Sequence, residues 1–418
     1  MRPNAAIKSA VEVVNFGCRV NLVEGEALRQ LALTQGCDNL VIVNSCTVTA
    51  EAARQVRQTI RRLKREAPER RIFVTGCGVQ IDPSSFAAMP EVDRIIGTFE
   101  KTQPESFAKN HASRVAVSDV FARKEADLPS VAGIEEHTRA FLAIQTGCDH
   151  RCSFCIIPFG RGASRSMPLA QLRDAVSACL DKGVAEIVLT GVDLTAYGKD
   201  LPGAPSLAKA LREVLQTAPD LSRLRLSSID CIETDADFLD LMASEPRLMP
   251  HLHLSLQSGD DLILKRMKRR HSREDAVEFC ASLRAARPNI VFGADLIAGF
   301  PTETEAMFEN TLALVEDCGL THLHVFPFSP RPGTPAARMP QLAPSLIKER
   351  AARLREAGAK ALRRHLDSQI GKQLTLLTER GGIARAEDFT KVRNEGTDAG
   401  RIIETTIVGH DGEMLRSA

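Results

Sequence analysis

Short runs of β-branched and aliphatic residues alternate with amphipathic helical patterns over most of this chain, which restricts it to folds built on parallel sheets. From Val11 to about Thr98 the order is VEVVNFG, GEALRQLALTQG, LVIVNSC, a long basic helix, RIFVTGC and VDRIIGT. The alternation resumes at Phe141 and runs nearly to Pro335. Its strand candidates are FLAIQTG, EIVLTG, RLRLSSI, HLHLSL, IVFGADLIAG and HLHVFPF. The first block predicts an N-terminal α/β domain with a parallel sheet. The second predicts a full or partial (β/α) barrel of TIM type, with its chemistry at the carboxyl ends of the strands. Beyond it, a helix from about Pro344 to Ser368 leads to the strand-like runs KQLTLLTER and RIIETTIVG, which predict a small β-barrel domain. The expected division is 1–110 for the α/β domain, 111–138 for a connection, 139–340 for the barrel, 341–366 for the connecting helix and 367–418 for the tail. A chain of 418 residues is too long for one ordinary core, which agrees with several domains.

Cysteines mark where chemistry sits. CDHRCSFC places Cys148, Cys152 and Cys155 in CxxxCxxC spacing just after the first barrel strand. Zinc sites are usually built from paired CxxC knuckles giving four ligands, and no second pair follows. Three thiolates on one loop suit a 4Fe-4S cluster that leaves its fourth iron open. Cys18, Cys46 and Cys77 each follow a predicted parallel strand, at the sheet edge where binding sites form, so three residues distant in sequence can converge. Cys37, Cys179, Cys231, Cys280 and Cys318 lack mutual spacing and read as buried thiols. No signal-peptide pattern and no apolar run of membrane-spanning length is present, which predicts a soluble cytoplasmic protein without a membrane partner. In a reducing compartment eleven cysteines favour metal or cluster ligation over disulfides.

The CxxxCxxC loop, with Phe154 before its last cysteine, resembles the radical S-adenosylmethionine (SAM) superfamily, in which SAM occupies the open iron. That resemblance implies SAM contacts at Phe154, at Gly191 in LTGVD, at Ser227 and Asp230 in RLSSID, and at Ser255 and Gln257 in LSLQSG. In GADLIAGFPTET it places Gly299 and Pro301 near adenine. The upstream set, NFGCRVN, VNSCTVT and VTGCGVQ, is similar to the auxiliary-cluster ligands of the methylthiotransferase family. Together the resemblances imply two 4Fe-4S clusters, one held by Cys148, Cys152 and Cys155 and one by Cys18, Cys46 and Cys77. GCRVN and NSCTVTAEA resemble the branch that modifies N6-threonylcarbamoyladenosine in tRNA, rather than the isopentenyladenosine or ribosomal-protein branches. The tail resembles a TRAM module, a small RNA-binding β-barrel, through Phe389, Thr390 and Val392.

For that family the implied reaction adds a methylthio group to C2 of the adenine beside the anticodon. One SAM methylates a sulfur at the auxiliary cluster, and a second is cleaved to a 5′-deoxyadenosyl radical. A tRNA anticodon stem-loop and a reductant protein such as flavodoxin or ferredoxin are the implied partners. Net charge, 54 basic against 53 acidic residues, says nothing of RNA, so contacts must come from local surfaces. RQVRQTIRRLKRE sets Arg54, Arg57 and Arg61 near one helical face, KRMKRRHSR offers Lys268 and Arg269, and the tail offers Lys391 and Arg393. A solvated helix face explains the first of these runs equally well and the second less well. Two rival functions stay open: a radical SAM enzyme acting on a protein side chain or another tRNA adenosine, and a non-catalytic cluster or zinc protein that binds RNA. Mass gain on the target separates the first, and zinc without iron and sulfide would mark the second.

Overall fold

The computed structural model describes residues 10–108, 113–122, 128–129 and 138–418. Five parallel strands, β1 (Val11–Asn15), β2 (Leu40–Ser45), β3 (Arg71–Gly76), β4 (Arg94–Ile96) and β5 (Val115–Ala116), lie side by side in that order. Val41 and Val43 of β2 pack with Val56 and Ile60 of α2 (Ala50–Glu66) on one face. Leu40 and Ile42 pack with Leu28 and Ala32 of α1 (Arg19–Thr34) on the other. Covered on both faces, β2 has no solvated side, which is why LVIV carries no polar alternation. The Thr49 hydroxyl starts α2 by accepting the Ala52 N–H at 3.1 Å, and Lys64 and Arg65 end it where carbonyl dipoles favour cations. β5 pairs with β4, so the sheet reaches into the span expected to be a connection, most of whose remainder lies outside the described residues.

The central unit begins with β6 (Ala140–Ala143) and a short antiparallel pair, β7 (Gln145–Thr146) and β8 (Arg165–Ser166). Parallel strands follow: β9 (Glu186–Thr190), β10 (Arg223–Leu226), β11 (Ser228–Ile229), β12 (His251–Gln257), β13 (Val291–Ala298) and β14 (Leu320–Pro327). They form the orders β10-β9-β6 and β11-β12-β13-β14. Ser227 interrupts a single strand between β10 and β11, so the arc holds six strand positions and remains a partial barrel with β6 and β14 as its edges. Leu224, Leu226, Leu252 and Leu254 pack outward against helices. Their alternate neighbours Arg223, Arg225, His251 and His253 therefore turn to the lumen, as the period of two requires.

The helix Pro344–Gln369 packs along β14 and leads to a closed barrel of β15 (Gln373–Glu379), β16 (Ile383–Ala386), β17 (Lys391–Arg393), β18 (Ile402–His410) and β19 (Leu415–Ser417). This tail docks on the amino ends of the barrel strands. Arg223 donates to the Arg385 and Thr375 carbonyls at 3.1 and 2.8 Å, and Arg225 donates to the Glu387 carbonyl at 3.0 Å. Phe389, at φ +72°, stacks on His251 at 5.1 Å and has Arg225 and Arg385 at 4.9 and 4.2 Å from its ring centre. Phe389, expected from the resemblance to belong to an RNA-binding module, is thus packed against the barrel strands.

A buried ion cluster joins the first two units. Glu24 of α1 takes Arg161 Nη1 and Nη2 at 2.9 and 3.0 Å and Lys101 Nζ at 2.6 Å. Arg161 also binds Asn21 and donates to the Thr146 hydroxyl at 3.1 Å. Burial alone would raise the Glu24 carboxyl, but Arg161 and Lys101 outweigh it and hold the group at about 2. A folded-state pKa below the unfolded one gives stability that is full above about pH 4.5 and lost as pH falls through about 2. Glu24→Gln is expected to cost about 3–5 kcal/mol at neutral pH by stranding two buried cations. Acid-unfolding curves of the two proteins should converge below pH 4.5, and a gap that stays constant down to pH 2 would refute the assignment. Phe389→Ala is expected to weaken tail docking by about 2 kcal/mol. Amide exchange should then accelerate in β15 and β10 while β12 and β13 keep their protection.

Candidate active site

All six cysteines of the two sets line one cavity of about 350 Å³ between the α/β domain and the carboxyl ends of the barrel strands. Cys46 directly follows β2, Cys77 directly follows β3 and opens α3 (Cys77–Ile81), and Cys18 caps α1. Two glycines let the chain turn there. Gly17 and Gly76 stand at φ +91° and +93°, the left-handed region that favours glycine. A Cβ on Gly17 would lie 2.7 Å from Cys46 Sγ, and one on Gly76 would lie 2.5 Å from the Ser45 carbonyl oxygen. The small residues are therefore what allows Cys18 and Cys46 to share a wall.

The second set sits on a loop pinned from both sides. The Ser153 N–H donates to the Met267 carbonyl at 3.0 Å, its hydroxyl donates to the Arg266 carbonyl at 2.7 Å, and its own carbonyl accepts the Ala336 N–H at 2.8 Å. The Cys148 N–H reaches the Gly162 carbonyl at 3.1 Å. Burial pushes the Cys46 thiol up to about 11 and Cys155 up to about 12, and it raises Cys77 and Cys148 as well. Such thiols keep their protons at neutral pH unless metal cations replace them. All-sulfur donor sets, three to a group, fit iron–sulfur clusters or zinc and not hard cations.

The cavity wall includes most of the residues expected to meet SAM. Phe154 lines it, with its ring edge-on to Phe300 at 6.5 Å. Gly191, Asp230, Ser255 and Gln257 line it too, and Gln257 holds φ +69°, an uncommon backbone state at a strand end. Ser227 does not: the lining residue is Ser228, because the break between β10 and β11 shifts which residue faces inward. Asp230 accepts Arg269 at 2.8 Å and Arg270 at 3.2 Å, leaving its Oδ1 buried without a hydrogen bond among the described residues.

Arg269, expected to meet RNA, is instead a cavity residue. Its side chain is 7% exposed, donates to the Ser255 carbonyl at 2.7 Å and approaches Cys152 Sγ at 3.8 Å. The carboxylate of Asp230 draws it inward. Lys268 remains exposed at φ +58°, ending the helix Asp261–Met267. Arg54 and Arg61 are exposed on α2 and Arg57 is half-buried, with Arg54 paired to Glu51. Lys391 and Arg393 are exposed on β17.

Several site residues carry no sequence signal. Gln145, wholly buried, accepts the Val192 and Asp193 N–H groups at 2.9 and 2.8 Å and donates to the Ser164 hydroxyl at 2.9 Å, which fixes the Gly191 loop. Asp193 in turn accepts the Cys148 thiol at 3.3 Å and lies 2.9 Å from His150. Asn21 and Arg161 line the cavity beside the first cysteine set. Only contacts between residues far apart in sequence reveal them.

Residues 142–315 match the model of the Radical SAM superfamily, and residues 10–97 match that of Uncharacterized protein family UPF0004. The threonylcarbamoyladenosine tRNA methylthiotransferase MtaB of Rickettsia prowazekii is 47% identical over 95% of this chain and 94% of its own length. The protein of the same name from Aquifex aeolicus is 32% identical over 94% of this chain and 98% of its own. A tRNA-2-methylthio-N(6)-dimethylallyladenosine synthase of Cereibacter sphaeroides is 33% identical over 88% of this chain and 87% of its own. Among solved structures, the radical SAM methyltransferase TsrM of Kitasatospora setae shares the fold at TM-score 0.54 and 16% identity, covering 76% of this chain and 68% of that one. Matched from end to end by such relatives, and carrying two cysteine triads around one cavity, this chain belongs to the radical SAM tRNA methylthiotransferase family.

Proposed function

We propose that this protein adds a methylthio group to C2 of N6-threonylcarbamoyladenosine beside the anticodon of tRNA. The observation that carries this reading is the convergence of two cysteine triads, from separate units of the fold, on one cavity. The substrate follows the relative at 47% identity. Cys148, Cys152 and Cys155 would hold one 4Fe-4S cluster and Cys18, Cys46 and Cys77 the other, each leaving an iron for an outside ligand. With SAM bound, these groups supply the one-electron chemistry needed at an aromatic C–H that no base near neutral pH can deprotonate.

The chain's own residues do the positioning. Gln145 and Asp193 hold the Gly191 loop against the Cys148 side of the cavity. Arg269 sets a fixed positive charge beside Cys152. Ile157, Ile229, Ile297 and Phe328 give walls that exclude water from reactive species. An anticodon-loop base is unpaired already, so entering the cavity costs little. Exposed Arg54, Arg61, Lys268, Lys391 and Arg393 are the proposed phosphate contacts, and a flavodoxin- or ferredoxin-like protein the proposed reductant. Among the described residues no helix is long and apolar enough to cross a membrane.

Cys152→Ala is expected to abolish 5′-deoxyadenosine production from SAM, whereas Cys46→Ala should abolish methylthiolation while leaving SAM cleavage measurable. Equal and complete loss of both activities in each variant would remove the separate roles. In cells lacking the protein, nucleoside mass spectrometry of tRNA should show loss of the methylthio derivative of threonylcarbamoyladenosine. Its persistence would overturn the substrate.

A further inference from the structure

Three carboxylates line the cavity among the described residues, and two are already engaged. Asp193 faces His150 and the Cys148 thiol, and Asp230 faces Arg269 and Arg270. Asp295 differs. Its Oδ1 meets His253 Nε2 at 2.9 Å and His324 Nδ1 at 3.1 Å, and among the described residues no donor reaches Oδ2. The three groups come from adjacent strands, β12, β13 and β14, with Asp295 and His324 in register. Two imidazoles gripping one oxygen fix the carboxylate's orientation and leave the other oxygen as an acceptor. Burial would raise the Asp295 carboxyl, but His253 and His324 outweigh it and hold it at about 2, so the group is a full anion at neutral pH.

Two residues along the same ladder, Ile297 pairs with Phe326, which lines the cavity while remaining 38% exposed. A large aromatic left open on a cavity wall, with no other ring against it among the described residues, is a stacking surface of the kind that binds unpaired bases. β14 is the free edge of its sheet, and His324 is 64% exposed beside it. This end of the wall is therefore open to solvent, which leaves room for a large partner.

We propose that Phe326 and Asp295 together receive the nucleoside being modified. The base stacks on the Phe326 ring, and Asp295 Oδ2 accepts an N–H or O–H of the same nucleoside, its ureido N–H or a ribose hydroxyl. The assignment rests on the tRNA-nucleoside reading above. SAM is also a nucleoside and offers the same donors, so the two sources must be told apart; the open edge favours the RNA.

The test uses full-length, cluster-loaded enzyme and an anticodon stem-loop carrying threonylcarbamoyladenosine, with Phe326→Leu, Phe326→Tyr and Asp295→Asn. Phe326→Leu and Asp295→Asn should each raise KM for the RNA about ten-fold or more. Phe326→Tyr should restore wild-type behaviour, and 5′-deoxyadenosine formed without RNA should stay within about two-fold of wild type in all three. Unchanged KM in Phe326→Leu would overturn the proposal, as would RNA-free deoxyadenosine formation falling in step with methylthiolation, which would place these groups on SAM. The Leu and Tyr pair decides even where Asp295→Asn fails to fold. If the substrate reading itself were wrong, wild-type enzyme would leave the stem-loop unmodified, a different result from variants that match an active wild type.

Discussion

The buried contact of Glu24 with Arg161 and Lys101 is the constraint on which the site depends. Each cysteine set is local to its own unit, and neither alone makes a cavity. Glu24 lies on the helix that Cys18 caps, and Arg161 ends the short helix that follows Cys155. Pairing them brings the two triads to one cavity. Desolvating three charged groups is costly, and an unequal count, one carboxylate against two cations, is offset in part by the Asn21 and Thr146 oxygens bound to Arg161.

The barrel solves a related problem in its lumen. Its strands present leucines outward to helices, so the polar side chains of the alternate face turn to the lumen, where Arg223, Arg225 and His251 are enclosed. At the amino end those side chains are Arg223 and Arg225 against Glu186, closed off by the tail barrel and Phe389. Burial and the neighbouring Arg139, Arg225 and Arg385 lower Arg19 to about 10 there. At the carboxyl end the lumen opens on the two cysteine sets. The tail thus completes the core of the barrel from below.

Around the Cys148 loop, backbone groups and the side chains of Ser153 and Gln145 set the geometry together. Ser153 is bound to residues 266, 267 and 336, and Gln145 collects the amides after Gly191. A loop so tied loses little entropy when ligands bind, which suits a site that must hold reactive groups a few ångströms apart.

The amino-acid sequence alone determined the parallel α/β order, the partial barrel, the small β tail and both cysteine triads. Strand periodicity is local, and closely spaced ligands announce themselves. It also placed Phe154, Gly191, Asp230, Ser255 and Gln257 at strand or loop positions that line the cavity. The tertiary structure decided what depends on distance through space. The break at Ser227 turned Ser228 inward, Asp230 drew Arg269 off the surface, and Phe389 folded under the barrel. Arg161, Glu24, Lys101 and Gln145 carry no pattern in the chain, because a buried polar residue is specified by the partner that satisfies it, and those partners lie far away in sequence.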